Sequence, residues 1–275
     1  MNIIVETLNK KKINVNLERA ELILGATAFL TKENLSKDDK VINPITNEML
    51  PIIKSNENRF FVPAHNISDY NYAKQNNLEI KQVVAPYFYG TGEEKPREEV
   101  KTQTRHSVIA VIKDLENNKY ICLDCKNRNC KSFVMGGIEQ GETIEEAALR
   151  EVKEETGYLN VKIDRISDIS MYNHFYAGYK GVNRYAILEV VFGHLENSQK
   201  EELSAEENSK HMVKYIDEKD LKDYINVNNN MFVIEELLHQ NKPYEKEEGK
   251  IINSTEYNKM DIFEARKKIE QKLLS

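Results

Sequence analysis

The sequence predicts a mixed α/β fold in which strands alternate with helices. The chain has 275 residues, of which 40% are hydrophobic and 31% are charged, a composition typical of a globular protein with a buried core. Residues 101–240 interleave strand-like apolar runs with helical periodicity, as layered α/β folds do. Residues 1–100 contain short β-like runs between turn signals, and residues 241–275 are polar before a terminal helical pattern. The chain therefore divides into three segments.

The first segment, residues 1–100, is predicted to be rich in short strands. A helix over Ser68–Asn77 is expected before a further strand over Ile80–Ala85. The turn-rich polar stretch Gly90–Pro96 is typical of a linker. The β-like runs are Ile3–Val5, Ala20–Leu30, Met49–Ile53 and Phe60–Val62.

The second segment, residues 101–240, has the stronger periodicity. One helix is predicted over Thr143–Thr156, and a closing helix begins at Phe232–Leu238. The predicted strands are His106–Lys113, Lys119–Cys125, Lys131–Met135, Val161–Ser170, Arg184–Leu195 and Met212–Ile216. The first two of these strands are expected to pair.

The third segment, residues 241–275, is predicted to hold a short strand over Lys250–Asn253 and an amphipathic helix. The apolar positions of this helix are Ile262, Phe263, Ile269 and Leu273. Because a single amphipathic helix is marginally stable in water, we expect it to dock onto another part of the chain.

Charge and hydropathy exclude several classes of protein. Lys and Arg number 39 against 45 Asp and Glu, so the net charge of −6 argues against generic DNA binding, which needs a cationic surface. No apolar run approaches the roughly 20 residues that span a bilayer, and no signal peptide is visible. We therefore expect no membrane partner and a cytoplasmic location.

Three cysteines, Cys122, Cys125 and Cys130, suggest a reducing compartment, because their number is odd. The C-x2-C spacing hints at zinc, but a closed structural zinc site needs four ligands and no second pair is present. We interpret these residues as strand and loop thiols.

The predicted helix at residues 143–156 carries the chemistry. Thr143 and Glu146 form a T-x-x-E capping box that begins it. At about 100° per residue, three carboxylates fall on one helical face. These are Glu151, Glu154 and Glu155.

Three carboxylates on one face repel one another unless a cation lies among them. Hard oxygen ligands suit Mg²⁺ or Mn²⁺. The preceding glycines, Gly136 and Gly137, allow the backbone to approach a ligand closely, so the pattern suggests metal-assisted hydrolysis of a phosphoanhydride. The alternative, a solvated acidic face, explains neither these glycines nor Arg150 nor the terminating Gly157.

Residues 136–158 resemble the Nudix box, G-x5-E-x7-R-E-U-x-E-E-x-G-U, where U is a bulky apolar residue. The matching positions are Gly136, Glu142, Arg150, Glu151, Val152, Glu154, Glu155, Gly157 and Tyr158. The resemblance implies a Nudix α/β/α sandwich over residues 101–240. It also implies that Glu151, Glu154 and Glu155 bind the divalent metal together with the backbone carbonyl of Met135, and that Arg150 orients the glutamates.

In the Nudix family a further glutamate often completes the metal shell or acts as the base. Glu206 and Glu207, in the acidic loop expected after the strand Arg184–Leu195, are the candidates, and Glu189 is a weaker one. The substrate-binding candidates are Gly136, Gly137, Glu142, Tyr176 and Arg184. Tyr172 and His174 are further candidates for the pocket wall, with ordinary packing as the alternative for each of these aromatic residues.

The outer segments resemble the editing domain inserted in leucyl-, valyl- and isoleucyl-tRNA synthetases. Four stretches carry this resemblance in the family's order: Glu18–Leu30 (ERAELILGATAFL), Asn43–Ile52 (NPITNEMLPI), Val62–Val84 (VPAHNISDY to KQVV) and Gly249–Ile269 (GKIINS to EARKKI). The leucyl type is the most similar. The resemblance implies an α+β editing-like domain formed by residues 1–100 and 241–275, with the Nudix domain of residues 101–240 nested inside it.

The editing-like segment departs from the family pattern at its functional positions. Asn16–Glu21 replaces the threonine-rich substrate loop, and Lys54–Phe61 stands where G-T-G-A-V is expected. Asn66 replaces the first Asp of H-D-x-x-D, whereas His65 and the second Asp, Asp69, are kept. Because no synthetase catalytic motif is present, aminoacylation is excluded.

The leading hypothesis is a Nudix hydrolase that uses Mg²⁺ (or Mn²⁺) to cleave a phosphoanhydride in a nucleoside-diphosphate-linked small molecule. The second hypothesis is a trans-acting factor that removes a wrong amino acid from tRNA, with Asp69 central. The third is a binding module for an amino acid, an aminoacyl-nucleotide or a tRNA end. Under the last two hypotheses the partner is tRNA or an aminoacyl group.

Overall fold

The computed structural model describes residues 1–36 and 38–275, which divide into two compact units. The first unit joins Met1–Pro86 to Lys242–Ser275, and the second is the continuous stretch Tyr87–Asn241. The predicted fold class, an α/β unit inserted into a β-rich unit, is confirmed. The predicted domain limits at residues 100 and 240 stay predictions, and Tyr87–Tyr89 belongs to the second unit because it pairs with one of that unit's strands.

The first unit consists mainly of short strands. Its strands are β1 (Asn2–Glu6), β2 (Lys12–Asn16), β3 (Ala28–Thr31), β4 (Lys40–Ile42), β5 (Met49–Lys54), β6 (Arg59–Phe61), β7 (Val84–Ala85) and β17 (Lys250–Ile251). Its helices are α1 (Ile67–Asn76) and α6 (Ile262–Leu274), with a 3₁₀ helix at Ala20–Gly25. The strands pair as a β1-β2 hairpin, a β4-β5-β3-β6 sheet and a β17-β7 pair.

The terminal helix α6 docks within the first unit, as its sequence predicts. Ile262 and Ile269 are buried, and Ala265 completes the buried face of the helix. Phe263 is 60% exposed, so the predicted apolar stripe was wrong at this residue. The helix packs on the 3₁₀ helix Ala20–Gly25. The sequence joined that segment to β3 as one strand, because a continuous apolar run does not distinguish a buried helix from a buried strand.

A buried carboxylate joins the two ends of the first unit. The Glu21 side chain is fully buried, and its oxygens accept hydrogen bonds from Arg19 Nε at 2.9 Å and from Arg266 at 2.7 and 3.0 Å. Burial favours a raised pKa for Glu21, but the hydrogen bonds from Arg266 and Arg19 outweigh burial and lower it. This ion pair links residues that are far apart in the chain. Removing one partner would leave a buried charge uncompensated, which destabilises the fold.

The second unit has one large mixed sheet with helices around it. Its strands are β8 (Tyr87–Tyr89), β9 (Thr102–Asp114), β10 (Lys119–Cys125), β11 (Lys131–Ser132), β12 (Val134–Gly137), β13 (Val161–Ile166), β14 (Met171–Ala177), β15 (Val182–Leu195) and β16 (His211–Asp217). Its helices are α2 (Ile144–Thr156), α3 (Ala205–Lys210), α4 (Leu221–Tyr224) and α5 (Asn228–Phe232). A π-helical turn over Val233–Leu237 continues α5.

Strand β9 is the centre of this sheet. It runs parallel to β15 over twelve residue pairs and antiparallel to β12 and β10. Buried side chains of β9, β12 and β15 form a core with Ala147, Ala148 and Val152 of α2. Helix α2 is therefore fixed against the strands that carry the paired glycines. No helix within residues 1–36 and 38–275 is long and apolar enough to cross a membrane.

Several element boundaries differ from the sequence-based expectation. The strand predicted over Lys131–Met135 is two strands, because β11 pairs with β10 whereas β12 pairs with β9. The helix predicted from Phe232 begins earlier, at Asn228. The segment predicted as a linker contains a 3₁₀ turn at Gly92–Glu94.

We predict that Glu21→Gln lowers the free energy of unfolding by about 3 kcal/mol at neutral pH, because Arg19 and Arg266 lose their buried counter-charge. Since the pKa of Glu21 is lowered on folding, its stabilising effect is present above the unfolded pKa and is lost as the pH falls through the folded value. Urea unfolding across acidic pH measures both effects.

The matched control is Glu264→Gln on α6, whose carboxylate is exposed and pairs with Lys268 at 3.0 Å. Exposed pairs contribute less than about 1 kcal/mol. Equal destabilisation by the two substitutions would contradict the role assigned to Glu21.

Candidate functional site

Helix α2 begins and ends as its sequence predicts. The Thr143 side chain accepts a hydrogen bond from the Glu146 N–H at 3.2 Å, and the Thr143 N–H donates to the Glu146 carboxylate at 2.8 Å, which confirms the capping box. Gly157 ends the helix with a φ of 79°, in the left-handed region that favours glycine. The position of the acidic face is therefore set by local sequence.

The glycines of β12 make room for charged side chains. A Cβ atom on Gly136 would collide with the Glu151 carboxyl group, and one on Gly137 would collide with the Arg105 guanidinium. Any other residue at these positions would force the end of the Glu151 or Arg105 side chain to move, because the strand backbone lies directly against these groups. The paired glycines thus place the Glu151 carboxylate over the strand.

Arg150 connects the acidic groups of the site. Its Nε donates to Glu142 Oε1 at 2.7 Å, its Nη1 to Glu151 Oε1 at 2.7 Å and Glu154 Oε2 at 3.2 Å, and its Nη2 to the Gly137 carbonyl at 2.7 Å. The hydrogen bond from Arg150 lowers the pKa of Glu142 to about 2. One guanidinium therefore orients the carboxylates against the glycine strand.

Glu155 is the most deeply enclosed carboxylate of the acidic face. Burial, followed by the negative charge of Glu151, raises the pKa of Glu155 to about 8. Its Oε2 accepts a hydrogen bond from the Met135 N–H at 3.4 Å. Burial likewise raises the pKa of Glu151. Adjacent buried carboxylates of this kind favour a bound cation, since it removes both their repulsion and their desolvation cost.

The structure separates the two glutamates that the sequence left open. Both lie in helix α3, and the expectation of a loop there was wrong. Possible ligand atoms of Glu207, Glu155 and His211 all lie within 4.8 Å of one another. The Glu206 side chain is 77% exposed and pairs with Lys210 at 2.8 Å. Glu207, not Glu206, therefore joins the acidic cluster.

His211 was not identified from the sequence. Its Nε2–H donates to the Glu155 backbone carbonyl at 2.8 Å, which ties β16 to the end of α2. His211 directly follows the acidic helix α3. This position in the sequence is the signal from which it could have been identified. We call Glu151, Glu155, Glu207 and His211 the carboxylate–histidine cluster.

Glu154 and Glu189 lie beside this cluster in different environments. The Glu154 side chain is 51% exposed and contacts Arg150. Glu189 is on β15, opposite Val108 of β9, which is itself opposite Gly136 of β12. Burial raises the pKa of Glu189, and its carboxylate accepts a hydrogen bond from Ser170 Oγ at 2.8 Å. Glu189, the weaker candidate from the sequence, therefore lies in the same row of the sheet as Gly136.

The structure places Tyr176 and Arg184 farther along the sheet. Arg184 is five residues before Glu189 on β15, about 17 Å at the usual strand rise. The ring of Tyr176 lies 3.6 Å from the Arg97 guanidinium carbon and is packed by it. Neither residue is part of the carboxylate–histidine cluster, so a substrate role for either requires a ligand that extends along the sheet.

The two editing-like candidates in the first unit are already bonded within the fold. Asp69 is buried and accepts hydrogen bonds from Arg59 at 2.7 Å on both oxygens and from the Val62 N–H at 2.9 Å. His65 is buried between the Tyr244 carbonyl and the N–H group of Val83. Burial lowers the pKa of His65 to about 4, so its ring is neutral near pH 7. Both residues therefore stabilise the fold.

A buried asparagine, missed by the sequence analysis, supports the strand beneath the cluster. Asn230 of α5 accepts a hydrogen bond from the Phe133 N–H at 2.7 Å and donates to Met135 Sδ at 3.1 Å. Phe133 and Met135 bracket the start of β12, the strand that ends in the paired glycines. The run Asn228–Asn230, which begins α5, is an unusual sequence pattern. It does not reveal which distant backbone group Asn230 will contact.

Comparisons with known proteins find a match to one continuous part of the chain and a short match to a synthetase. Residues 103–237 match the family model described as NUDIX domain. A leucine–tRNA ligase of Fervidobacterium nodosum is 41% identical over 63 residues, which cover 20% of this chain and 8% of the ligase. The chain thus spans less than a tenth of the length of this relative.

Two solved structures are among those similar to about half of this chain. A NUDIX hydrolase from Nitrosomonas europaea is 18% identical, covers 51% of this chain and 92% of its own, and has a TM-score of 0.39. An Ap4A hydrolase binary complex from C. elegans is 19% identical, covers 47% of this chain and 92% of its own, and has a TM-score of 0.37.

We predict that Asn230→Ala lowers the free energy of unfolding by about 1–3 kcal/mol, because the buried Phe133 N–H loses its acceptor. It should also weaken Mn²⁺ binding, since β12 is no longer held beneath the acidic cluster. Thermal unfolding and a Mn²⁺ titration followed by electron paramagnetic resonance measure the two effects.

Asn226→Ala is the matched control, because Asn226 accepts a similar hydrogen bond from the Lys131 N–H at 2.8 Å but is exposed and supports β11 instead. We expect it to leave Mn²⁺ affinity unchanged. The assigned role is wrong if the two variants bind Mn²⁺ equally well.

Proposed function

We propose that this chain is a Nudix-type hydrolase that requires Mg²⁺ and cleaves a phosphoanhydride in a nucleoside-diphosphate-linked substrate, since residues 103–237 match the NUDIX domain family model. The observation that carries this proposal is the Glu151 carboxylate held over Gly136 by Arg150, with the half-buried Glu155 beside it. Hydrolysis adds water across a P–O–P bond and yields two phosphate-bearing products.

The residues present suit a small divalent cation. Glu151, Glu155 and Glu207 offer hard carboxylate oxygens. Glu154 precedes Glu155 on α2, and the Met135 backbone is hydrogen-bonded to Glu155. The enclosed position of Glu155 explains the need for a cation, because burial and a neighbouring carboxylate oppose its ionisation. When bound, the cation would neutralise phosphate charge and polarise the attacking water.

The protein side chains have separate parts in this proposal. Arg150 fixes Glu142, Glu151 and Glu154 through hydrogen bonds of 2.7–3.2 Å, so the carboxylates are oriented before a substrate binds. One glutamate of the site accepts a proton from the attacking water. Arg184 and Tyr176 lie where they could contact a part of the substrate distant from the reacting phosphate.

The geometry does not favour the alternative of tRNA editing. Both oxygens of Asp69 are bonded to Arg59, and one also accepts the Val62 N–H, so most of the acceptor capacity of this carboxylate is used within the fold. The ligase resemblance covers 20% of the chain. We therefore propose phosphoanhydride hydrolysis and no deacylation.

We predict that Glu155→Gln and Glu154→Gln each lower kcat by about 100-fold or more, because each removes a carboxylate from the acid–base and metal-binding face. The assay is hydrolysis of a panel of nucleoside-diphosphate-linked compounds with Mg²⁺ or Mn²⁺ at mildly alkaline pH. The panel reports the substrate class through kcat/KM.

Glu145→Gln is the control on the same helix, because Glu145 is an exposed first-turn residue away from the acidic face. We expect full activity from this variant. Undiminished turnover in Glu155→Gln and Glu154→Gln would falsify the proposed site.

A further inference from the structure

Two cysteines face each other across the hairpin that joins β10 to β11. The antiparallel register pairs Leu123 with Ser132 and Asp124 with Lys131, and the next pair in this register is Cys125 with Cys130. The Cys125 N–H donates to the Cys130 carbonyl at 2.9 Å. Residues opposed in this way have Cα atoms about 5.5 Å apart, within the roughly 4.4–6.8 Å that a disulfide spans.

Both residues are partly accessible to solvent. The Cys130 N–H donates to the carbonyl of Arg128, at the tip of the same hairpin, at 2.8 Å. Burial raises the pKa of Cys130 to about 11, so Cys130 remains a thiol. The thiolate form of a cysteine is the one that reacts with oxidants. The hairpin thus holds an accessible cysteine opposite a second one.

We propose that Cys125 and Cys130 form a reversible disulfide when the protein meets a hydroperoxide. The Cys125 thiolate attacks the peroxide oxygen and becomes a sulfenic acid, and the cleaved peroxide leaves as water or an alcohol after taking up a proton. The Cys130 thiol then attacks the sulfenic sulfur, which forms the S–S bond and releases water. Each peroxide therefore oxidises two thiols to one disulfide, and a dithiol reductant reverses the reaction.

The hairpin also contacts the helix that carries Glu207. The Lys126 N–H donates to the Lys210 carbonyl at 2.9 Å, and Lys126 Nζ donates to the Asn208 carbonyl. Lys210 in turn pairs with Glu207 at 2.6 Å. Closure of the disulfide shifts this loop against α3. On the basis of the proposed function, we therefore expect oxidation to change the rate of nucleotide hydrolysis.

The test counts thiols and maps the bond by mass spectrometry after treatment with hydrogen peroxide. We expect wild-type protein, with three cysteines, to lose two thiols and to yield a peptide linking Cys125 to Cys130. Cys122→Ser should still form the bond, because Cys122 is fully buried and takes no part. Cys125→Ser and Cys130→Ser should form no internal disulfide.

Retention of all three thiols, or a disulfide that includes Cys122, would overturn the proposed site. Hydrolysis rates before oxidation, after it and after reduction by dithiothreitol test the coupling to α3. We expect at least a twofold change that dithiothreitol reverses and that Cys130→Ser lacks, and an unchanged rate would contradict the coupling. Because thiol counting needs no substrate, a protein without hydrolase activity still tests the disulfide.

Discussion

The close approach of the Glu151 carboxyl group to the backbone of Gly136 is the constraint on which the second unit's site depends. A Cβ atom at residue 136 would occupy the same space, so any residue other than glycine would force the Glu151 carboxyl group to move. The contact removes the carboxylate from water and places it next to Glu155, whose ionisation is already opposed by burial. Arg150 offsets part of the resulting negative charge. The packing of Glu151 against Gly136 thus brings carboxylates together at a place where a bound cation would stabilise them.

The first unit is stabilised by different means. Its ion pairs are internal: Glu21 joins the start of the chain to α6, and Asp69 joins α1 to Arg59 of β6. The guanidinium partners offset the charge of these carboxylates within the fold. Unlike the carboxylates of the second unit, they are therefore stable without a bound cation.

Local signals made helix α2 predictable. The cap at Thr143, the terminator Gly157 and the spacing of Glu151, Glu154 and Glu155 all lie within one short stretch, and each has a direct physical meaning. Relations across the chain were not predictable in this way. The partners of Asn230 and His211 lie 97 and 56 residues away, and a single sequence does not reveal which backbone group will meet a polar side chain. Glu206 and Glu207 are equivalent in sequence, and only the direction of α3 separates them.

The discontinuous first unit also constrains the order in which the protein matures on the ribosome. Residues 87–241 are all synthesised before Arg266, so the second unit is made while Glu21 still lacks one of its two guanidinium partners. In the nascent first unit β7 stays unpaired until its partner strand β17 has been synthesised. During that interval the amino-terminal strands are the part of the chain exposed to chaperones and proteases.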